Sequence, residues 1–351
     1  MKDLHRVRLT MLGAPKAGKS TYLLAFYAAL SRGVENCTLH ETDRNADVML
    51  ADGWRDLGER GQPPEETNTV PRQHTFLYAR ALNPLAHVHW TDYRGGALPS
   101  FVGPDGSPDA EQLLWEVSQA HGLLLVLDGE HFRKPVGADR REAVARDTLT
   151  QQMSSVVTDT LTVRSHEGRP LPAITIVITK ADLIDWSGTD GPRRLPDLVD
   201  ELRALLPAAF APGVVSAVCP VSVGALESGP DGGVRPDSVR PVDVHLPLVF
   251  SLACFFRQER DNLNRRLEEL HAERVAARRE WAALPQGGGW NARRARERLA
   301  TRLQEMDRAE ASMNQWRHHC ETESGALVPM LRHVPVFEGG RPAAWAGSNR
   351  G

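Results

Sequence analysis

Apolar and polar residues alternate along residues 6–12 (RVRLTML), a pattern that predicts a β-strand with one face buried. Short alternating or continuously apolar runs recur further along the chain and predict five more strands. These cover residues 75–80, 86–91, 122–128, 174–179 and 216–221. The run at 123–127 (LLLVL) does not alternate at all, which is typical of a central strand that is covered on both faces.

Stretches of helical character separate these strands. They predict helices over residues 21–30, 109–119, 139–162 and 195–206. Strands and helices therefore alternate up to about residue 256, and this order favours a mostly parallel sheet with helices on both faces. We expect one α/β domain over residues 1–256, in which the Gly-, Pro- and Asp-rich segment 224–238 is a loop.

The pattern changes after this domain. Residues 246–284 and 291–324 carry apolar side chains three and four positions apart, and the segment 285–289 (PQGGG) interrupts the helical pattern. We predict an antiparallel α-helical hairpin of coiled-coil type over residues 257–326. Residues 327–351 have few apolar side chains from Pro335 onward, so we expect them to form a disordered tail.

Composition indicates an ordinary globular protein. Of 351 residues, 41% are hydrophobic and 25% are charged, and the net charge of −3 gives no overall reason to expect nucleic-acid binding. The four cysteines lack C-x-x-C spacing, which favours free thiols in the cytoplasm over disulfides or zinc ligands. The first residues lack the apolar stretch of a signal peptide, and the longest nearly apolar run, 246–256, is too short to cross a bilayer.

Residues 13–20 (GAPKAGKS) match the phosphate-binding pattern G-x-x-x-x-G-K-[ST] between a predicted strand and a predicted helix. In that setting, backbone N–H groups and the helix N-terminus form a site for an anion. Lys19 would reach the β- and γ-phosphates, and the Ser20 hydroxyl would bind Mg²⁺. The motif therefore predicts binding of a nucleoside triphosphate.

Two further motifs follow predicted strands and narrow the prediction to a guanine nucleotide. In 92–95 (DYRG), Asp92 would hold Mg²⁺ through water, and the Gly95 N–H would contact the γ-phosphate. In 179–182 (TKAD), the Asp182 carboxylate can accept both the N1–H and the exocyclic N–H of guanine, while the Lys180 stem covers the base. Adenine lacks this pair of donors and would leave Asp182 unpaired.

With these motifs the chain resembles the translation-factor-related (TRAFAC) class of P-loop GTPases, with a Ras-like G domain, over about residues 5–256. The resemblance implies a P-loop NTPase fold that binds GTP or GDP together with Mg²⁺. It implies nucleotide contacts from the phosphate loop, the base-reading motif and a weaker fifth motif at 221–224 (VSVG): Gly13, Lys16, Ala17, Gly18, Lys19, Ser20, Thr21, Thr179, Lys180, Asp182, Ser222 and Val223. It implies Ser20, Asp92 and Thr69 as metal ligands, with Thr67 as the alternative to Thr69, and catalytic roles for Lys19, Lys16, Thr69 and Gly95.

One departure from the family pattern bears on catalysis. Ras-like enzymes position the attacking water with a glutamine after D-x-x-G, whereas Gly96 stands there in this chain. We expect slow hydrolysis, with Lys16, and less strongly Arg94, as the substitute cation; the alternative for Lys16 is an ordinary exposed lysine. The resemblance implies a bacterial molecular switch that acts through a protein partner. The alternative is a scaffold that binds GTP without significant hydrolysis.

The predicted hairpin tip is rich in arginine and carries Trp281 and Trp290. The basic residues here are Arg274, Arg278, Arg279, Arg293, Arg294, Arg296 and Arg298. Such a surface could contact anionic lipid, nucleic acid or an acidic protein, but most charged runs are only solvated, and that interpretation is favoured. The sequence at 318–321 (HHCE) likewise favours a solvated helix face beside Cys320 over a metal site.

Overall fold

A computed structural model describes residues 4–64, 72–92, 108–186, 195–226, 234–284 and 289–345. The chain forms two compact units, one of residues 1–251 together with 329–351, and the other of residues 252–328. Within the described residues, no helix has both the length and the apolar character needed to cross a membrane.

The first unit is built around a mixed sheet, which has nine strands in the part of the chain described. Its strands are β1 His5–Gly13, β2 Cys37–Glu41, β3 Arg72–Arg80, β4 Asn83–Asp92, β5 Gly122–Asp128, β6 Ala173–Thr179, β7 Val215–Pro220, β10 Val336–Glu338 and β11 Arg341–Pro342. Their spatial order is β11-β10-β7-β6-β5-β1-β4-β3-β2. The five central strands, from β7 to β4, run parallel, and the strands at both edges run antiparallel. The predicted mostly parallel sheet is confirmed.

Helices cover both faces of this sheet. They are α1 Lys19–Arg32, α2 Arg44–Arg60, α3 Pro108–Gln119, α4 Ala138–Asp147, α5 Thr150–His166 and α6 Leu195–Leu205. On one face, Phe26 of α1 stacks on Trp90 of β4, with ring centroids 5.0 Å apart. On the other face, α3, α5 and α6 pack on Leu125 and Ile176 in one buried apolar cluster. β6 is buried along its whole length and β5 as far as Leu127, as the unbroken apolar run at 123–127 predicts for β5.

The predicted helix over 139–162 is two helices. The chain leaves the helical conformation between α4 and α5, where Leu149 has a φ of 55°. A left-handed residue cannot continue a right-handed helix, so α4 ends at Asp147 and α5 begins at Thr150. The break carries no Gly or Pro, so the sequence pattern did not predict it.

The segment between α1 and β3 contains two elements that the sequence analysis did not predict. β2 pairs antiparallel with β3 at the sheet edge, and α2 follows it. The Asp43 carboxylate caps α2 by accepting hydrogen bonds from the N–H groups of Asn45 and Ala46, at 2.8 and 2.9 Å. A further small antiparallel pair, β8 Ser222–Gly224 with β9 Val239–Val242, closes the segment predicted as a loop.

The prediction of a disordered tail is wrong for residues 336–342. β10 pairs antiparallel with β7 and extends the sheet. Phe337 is 5% exposed and packs edge-on against Phe210, with centroids 5.3 Å apart. The guanidinium of Arg203 lies 4.7 Å from the Phe210 ring and 4.9 Å from the Phe337 ring. Pairing with β7 and burial of Val336 and Phe337 stabilise this segment, although the tail has few apolar residues.

The second unit consists of two long helices, which confirms the predicted hairpin. α7 Leu246–Ala283 begins in the first unit and continues into the second, and α8 is Trp290–Leu327. Arg274, which interrupts the apolar stripe of α7, forms ion pairs with Asp307 at 2.9 Å and with Glu310 of α8. Closer to the connection between the helices, Arg296 donates a hydrogen bond to the Leu284 carbonyl at 2.9 Å. These contacts join the two helices antiparallel. The unit spans 252–328, where the sequence analysis set its bounds at 257 and 326.

Candidate nucleotide-binding site

The phosphate-loop motif lies between the end of β1 and the start of α1. Gly13 is paired with Val126 of β5, and a Cβ atom at Gly13 would lie 2.6 Å from the Val126 carbonyl oxygen. No residue with a side chain fits there without moving a strand. Gly18 precedes α1 with a φ of 81°, a left-handed conformation that glycine adopts readily. With no side chain at this cap, the first N–H groups of α1 remain available to an anion.

Lys19 is held at the centre of this loop. Its side chain is largely buried and donates hydrogen bonds to the carbonyl oxygens of Gly13, at 2.9 Å, and Ala14, at 2.8 Å. Burial lowers the pKa of Lys19, and the negative charge of Asp92 opposes that shift. The loop thus bends around the ammonium group, as expected for a lysine that binds phosphate oxygens.

Asp92 ends β4 next to the phosphate loop, because β4 pairs with β1 in the register that sets Asp92 beside Met11. Its side chain is 1% exposed, and within the described residues its Oδ1 atom has no hydrogen-bond partner. Burial raises the pKa of Asp92 to about 6, against the opposing positive charges of Lys19 and Arg72. A buried carboxylate oxygen without a partner fits a cation or a cation-bound water as its missing neighbour.

Ser20 and Asp92 line the same cavity, which has a volume of about 530 Å³. A hydroxyl and a carboxylate are the hard oxygen ligands that Mg²⁺ prefers, with waters completing its shell. Among the described residues, no group of three or more His, Cys, Asp or Glu side chains is arranged to hold a metal ion. Ser20 and Asp92 fit a metal held by few protein ligands together with water and phosphate, which is how Mg²⁺ binds nucleotides.

The base-reading motif lies against the phosphate loop. Thr179, at the end of β6, donates its hydroxyl to the Ala17 carbonyl at 2.7 Å, and the Leu127 carbonyl lies 3.2 Å away as a second acceptor. Thr179 is 162 residues from Ala17 in the sequence. The parallel order of β1, β5 and β6 brings their carboxyl ends to one edge of the sheet, where ligands bind in open α/β folds.

The predicted fifth motif lies beside Asp182. The Ser222 hydroxyl donates to Asp182 Oδ1 and accepts a hydrogen bond from the Gly224 N–H at 2.9 Å. The Ala181 N–H donates to the Val221 carbonyl at 3.1 Å, which joins the two loops through the backbone as well. Val223 follows Ser222 in β8 and is nearly buried. The loop after β7 therefore orients the carboxylate that is predicted to read guanine.

Asp128, which the sequence analysis did not single out, forms an ion pair with Lys180 of the base-reading motif. Lys180 Nζ lies 2.5 Å from Oδ2 of Asp128, which ends β5. The other oxygen of Asp128 accepts the Glu130 N–H at 2.9 Å. The sequence did contain a signal for Asp128. This carboxylate directly follows the apolar run 122–127, at the carboxyl end of a predicted parallel strand, where ligands bind in open α/β folds.

The remaining predicted residues divide into two groups. Lys16 is exposed in the loop with a φ of 63°, and Thr21 is half-buried in the first turn of α1. Thr67, Thr69, Arg94, Gly95 and Gly96 lie outside the described residues.

A model of the family named Double-GTPase 2 matches residues 8–219, the span that contains the phosphate loop and the base-reading motif. No curated protein matches the chain significantly. One similar solved structure is a crystal structure of sup35 complexed with GDP, with 16% identity and a TM-score of 0.28. That similarity covers 63% of the present chain and only 38% of the other chain. Because the family match extends over more than half of its length, the chain belongs to the Double-GTPase 2 family of P-loop GTPases.

Proposed function

We propose that this protein binds Mg·GTP, hydrolyses it slowly to GDP and phosphate, and acts as a molecular switch of the TRAFAC class. The hydrogen bond from Thr179 to Ala17 carries the proposal. It brings the strand end that bears Lys180 and Asp182 against the phosphate loop. One nucleotide can then contact Lys19 through its phosphates and Asp182 through its base.

The proposed reaction is the in-line attack of a water on the γ-phosphorus, with cleavage of the bond to the oxygen that bridges the β- and γ-phosphates. Bound Mg²⁺ would neutralise charge on the phosphate oxygens. Lys19 and the N–H groups of the loop would hold the same oxygens as negative charge moves to the β-phosphate. Ser20 and Asp92 would hold the metal directly or through water, with Thr69 as the proposed switch ligand and Gly95 as a donor to the γ-phosphate.

The guanine preference follows from Asp182, whose position the Ser222 hydroxyl holds. Asp182→Asn replaces an acceptor with an amide that donates toward the C2 carbonyl of xanthine. We expect GTP affinity to fall at least about 100-fold and affinity for xanthosine triphosphate to rise, measured by displacement of a fluorescent nucleotide. Equal affinity of the unaltered protein for GTP and ATP would overturn the guanine assignment.

A second function, a scaffold that binds GTP without significant turnover, is favoured by Gly96 in place of the water-positioning glutamine. Release of phosphate from saturating GTP, measured alone and with the products of neighbouring genes, separates the two. Turnover above that of Lys19→Ala supports the enzyme. Intact bound GTP under every condition supports the scaffold. In both cases we propose a cytoplasmic protein whose switch regions or helical hairpin contact a protein partner.

A further inference from the structure

A buried carboxylate–histidine pair lies beside the proposed metal site and has no role in the function described so far. Glu41, the last residue of β2, has a side chain that is 1% exposed, and its Oε2 lies 3.0 Å from His74 Nδ1 of β3. Its Oε1 accepts N–H groups from Thr42 at 2.8 Å, Asp43 at 3.2 Å and Thr75 at 3.2 Å. Three backbone N–H groups on one oxygen and the His74 ring on the other thus fix the orientation of the carboxylate.

This arrangement determines which ring nitrogen of His74 carries the proton. Since a carboxylate oxygen accepts, Nδ1 donates, and a neutral imidazole then has Nε2 as an acceptor. The ring is further held by stacking on Phe76, with centroids 5.5 Å apart and planes within 10°. In this neutral form His74 presents one acceptor atom in a fixed direction.

That acceptor has no partner among the described residues, although it is buried. The His74 side chain is only 10% exposed. Its ring lines the same cavity of about 530 Å³ as Ser20 and Asp92, and Asp92 Oδ1 is the other buried atom there without a partner. In the β3–β4 ladder His74 is paired with Trp90 and Arg72 with Asp92, so His74 and Asp92 are diagonal neighbours on one face of the sheet.

With the neutral His74 ring and the ionised Asp92 carboxylate, both unpartnered atoms are acceptors, so neither can satisfy the other and each needs a hydrogen-bond donor. A water molecule donates two hydrogen bonds and is far smaller than this cavity, since it occupies about 30 Å³ in the liquid. A water bound to a cation is an especially good donor, because the cation withdraws electron density from its oxygen.

We infer that His74, oriented by Glu41, is a positioning residue of the magnesium site, where its Nε2 accepts a hydrogen bond from a metal-bound water that Asp92 also holds. This inference rests on the proposed function. The inference also gives the edge strand β2 a role. Through Glu41, β2 orients a histidine that contacts the metal only through a water molecule. Groups that act on a metal in this indirect way commonly change its affinity by about 10- to 100-fold.

The sharpest test is Glu41→Gln, which keeps size and shape. The glutamine oxygen can still accept the three backbone N–H groups, but its amide donates to Nδ1. The proton of His74 then moves to Nε2, which becomes a donor and can no longer accept from the water. His74→Phe is the second variant, because it removes the acceptor and keeps a ring stacked on Phe76. His89→Phe is the matched control, since it makes the same change on the opposite face of β4.

The experiment measures the rate at which fluorescent GDP dissociates at a series of Mg²⁺ concentrations, with the rate in excess chelator as the reference. The quantity compared between variants is the Mg²⁺ concentration at which the slowing of dissociation is half-maximal. Circular dichroism establishes whether each variant is folded. If one of the two test variants does not fold, the other decides the test. We expect Glu41→Gln and His74→Phe to require about 10-fold more Mg²⁺, while release in chelator and the His89→Phe protein stay unchanged. Tight, Mg²⁺-dependent binding with an unchanged Mg²⁺ requirement in either folded test variant would refute this inference and leave the proposed function standing. Failure of the unaltered protein to bind guanine nucleotide would refute the proposed function itself.

Discussion

Lys180 Nζ lies 2.5 Å from the Asp128 carboxylate, and this ion pair joins the ends of two neighbouring parallel strands. Asp128 is held in turn by the Glu130 N–H. The lysine side chain is 38% exposed, so without the pair it would sample many rotamers. Asp128 thus orders the side chain that is proposed to cover the guanine base.

Asp128→Asn should weaken binding of both GTP and GDP by about 10-fold, or 1.4 kcal/mol, because Lys180 loses its charged anchor. Fluorescent-nucleotide titration measures this loss. Glu130→Gln, an exposed change in the same turn, is the control and should leave affinity unchanged. Equal affinities of Asp128→Asn and the unaltered protein would mean that the ion pair does not order Lys180 for binding.

Lys16 and Lys19 should differ in what they contribute. If Lys16 supplies the cation missing at Gly96, Lys16→Ala should lower turnover by at least about 10-fold with little change in GTP affinity. Lys19→Ala should weaken both, since Lys19 contacts phosphates in the ground and transition states alike. Single-turnover hydrolysis and equilibrium binding distinguish these effects. Unchanged turnover in Lys16→Ala would make Lys16 an ordinary surface lysine.

His121 should make the fold sensitive to acid. Burial, followed by the charges of Arg164, Arg8 and Arg169, lowers the pKa of His121 from 6.5 to about 4. Its Nδ1 accepts the Arg8 N–H at 2.9 Å, a hydrogen bond that needs the neutral ring. Between pH 6.5 and 4 the unfolded chain therefore binds the proton and the folded chain does not, so the free energy of unfolding falls as pH decreases through that window, by about 3 kcal/mol at most.

His121→Asn tests this dependence, because the asparagine oxygen can accept the same N–H and does not titrate. Urea unfolding at several pH values should give a shallower pH slope for the variant between 6.5 and 4. Parallel slopes would show that His121 does not titrate differently in the two states.

Phe337 should stabilise the first unit although it lies in the segment that looks disordered by composition. Phe337→Ala removes a ring that is 5% exposed and should lower the free energy of unfolding by about 3–5 kcal/mol. Arg341→Ala, an exposed change in β11, should alter it by less than about 0.5 kcal/mol. Urea unfolding monitored by fluorescence compares the two. A loss below about 1 kcal/mol in Phe337→Ala would contradict the observed packing.

Local pattern was sufficient for the central part of this fold. β5 matches its predicted bounds, and β1 and β6 differ from theirs by one residue at one or both ends, because unbroken or alternating apolar runs specify buried strands directly. The phosphate loop was predictable for a similar reason. Its strand, glycines, lysine and helix are consecutive in the chain, so their order alone defines the loop.

Elements whose stability comes from a distant partner were not predictable in this way. β10 has three residues, too few for a period to be visible, and exists because β7 offers it an open edge. The break at Leu149 has no Gly or Pro to announce it.

The same distinction applies to the site. The sequence by itself determined which residues could contact phosphate, metal and base, because those motifs are contiguous. Only the tertiary structure decided which partners orient them: Asp128 lies 52 residues before Lys180, and Glu41 lies 33 residues before His74. Such pairs are set by the order and register of strands in the sheet, and register depends on backbone hydrogen bonds between strands that any residue type can make.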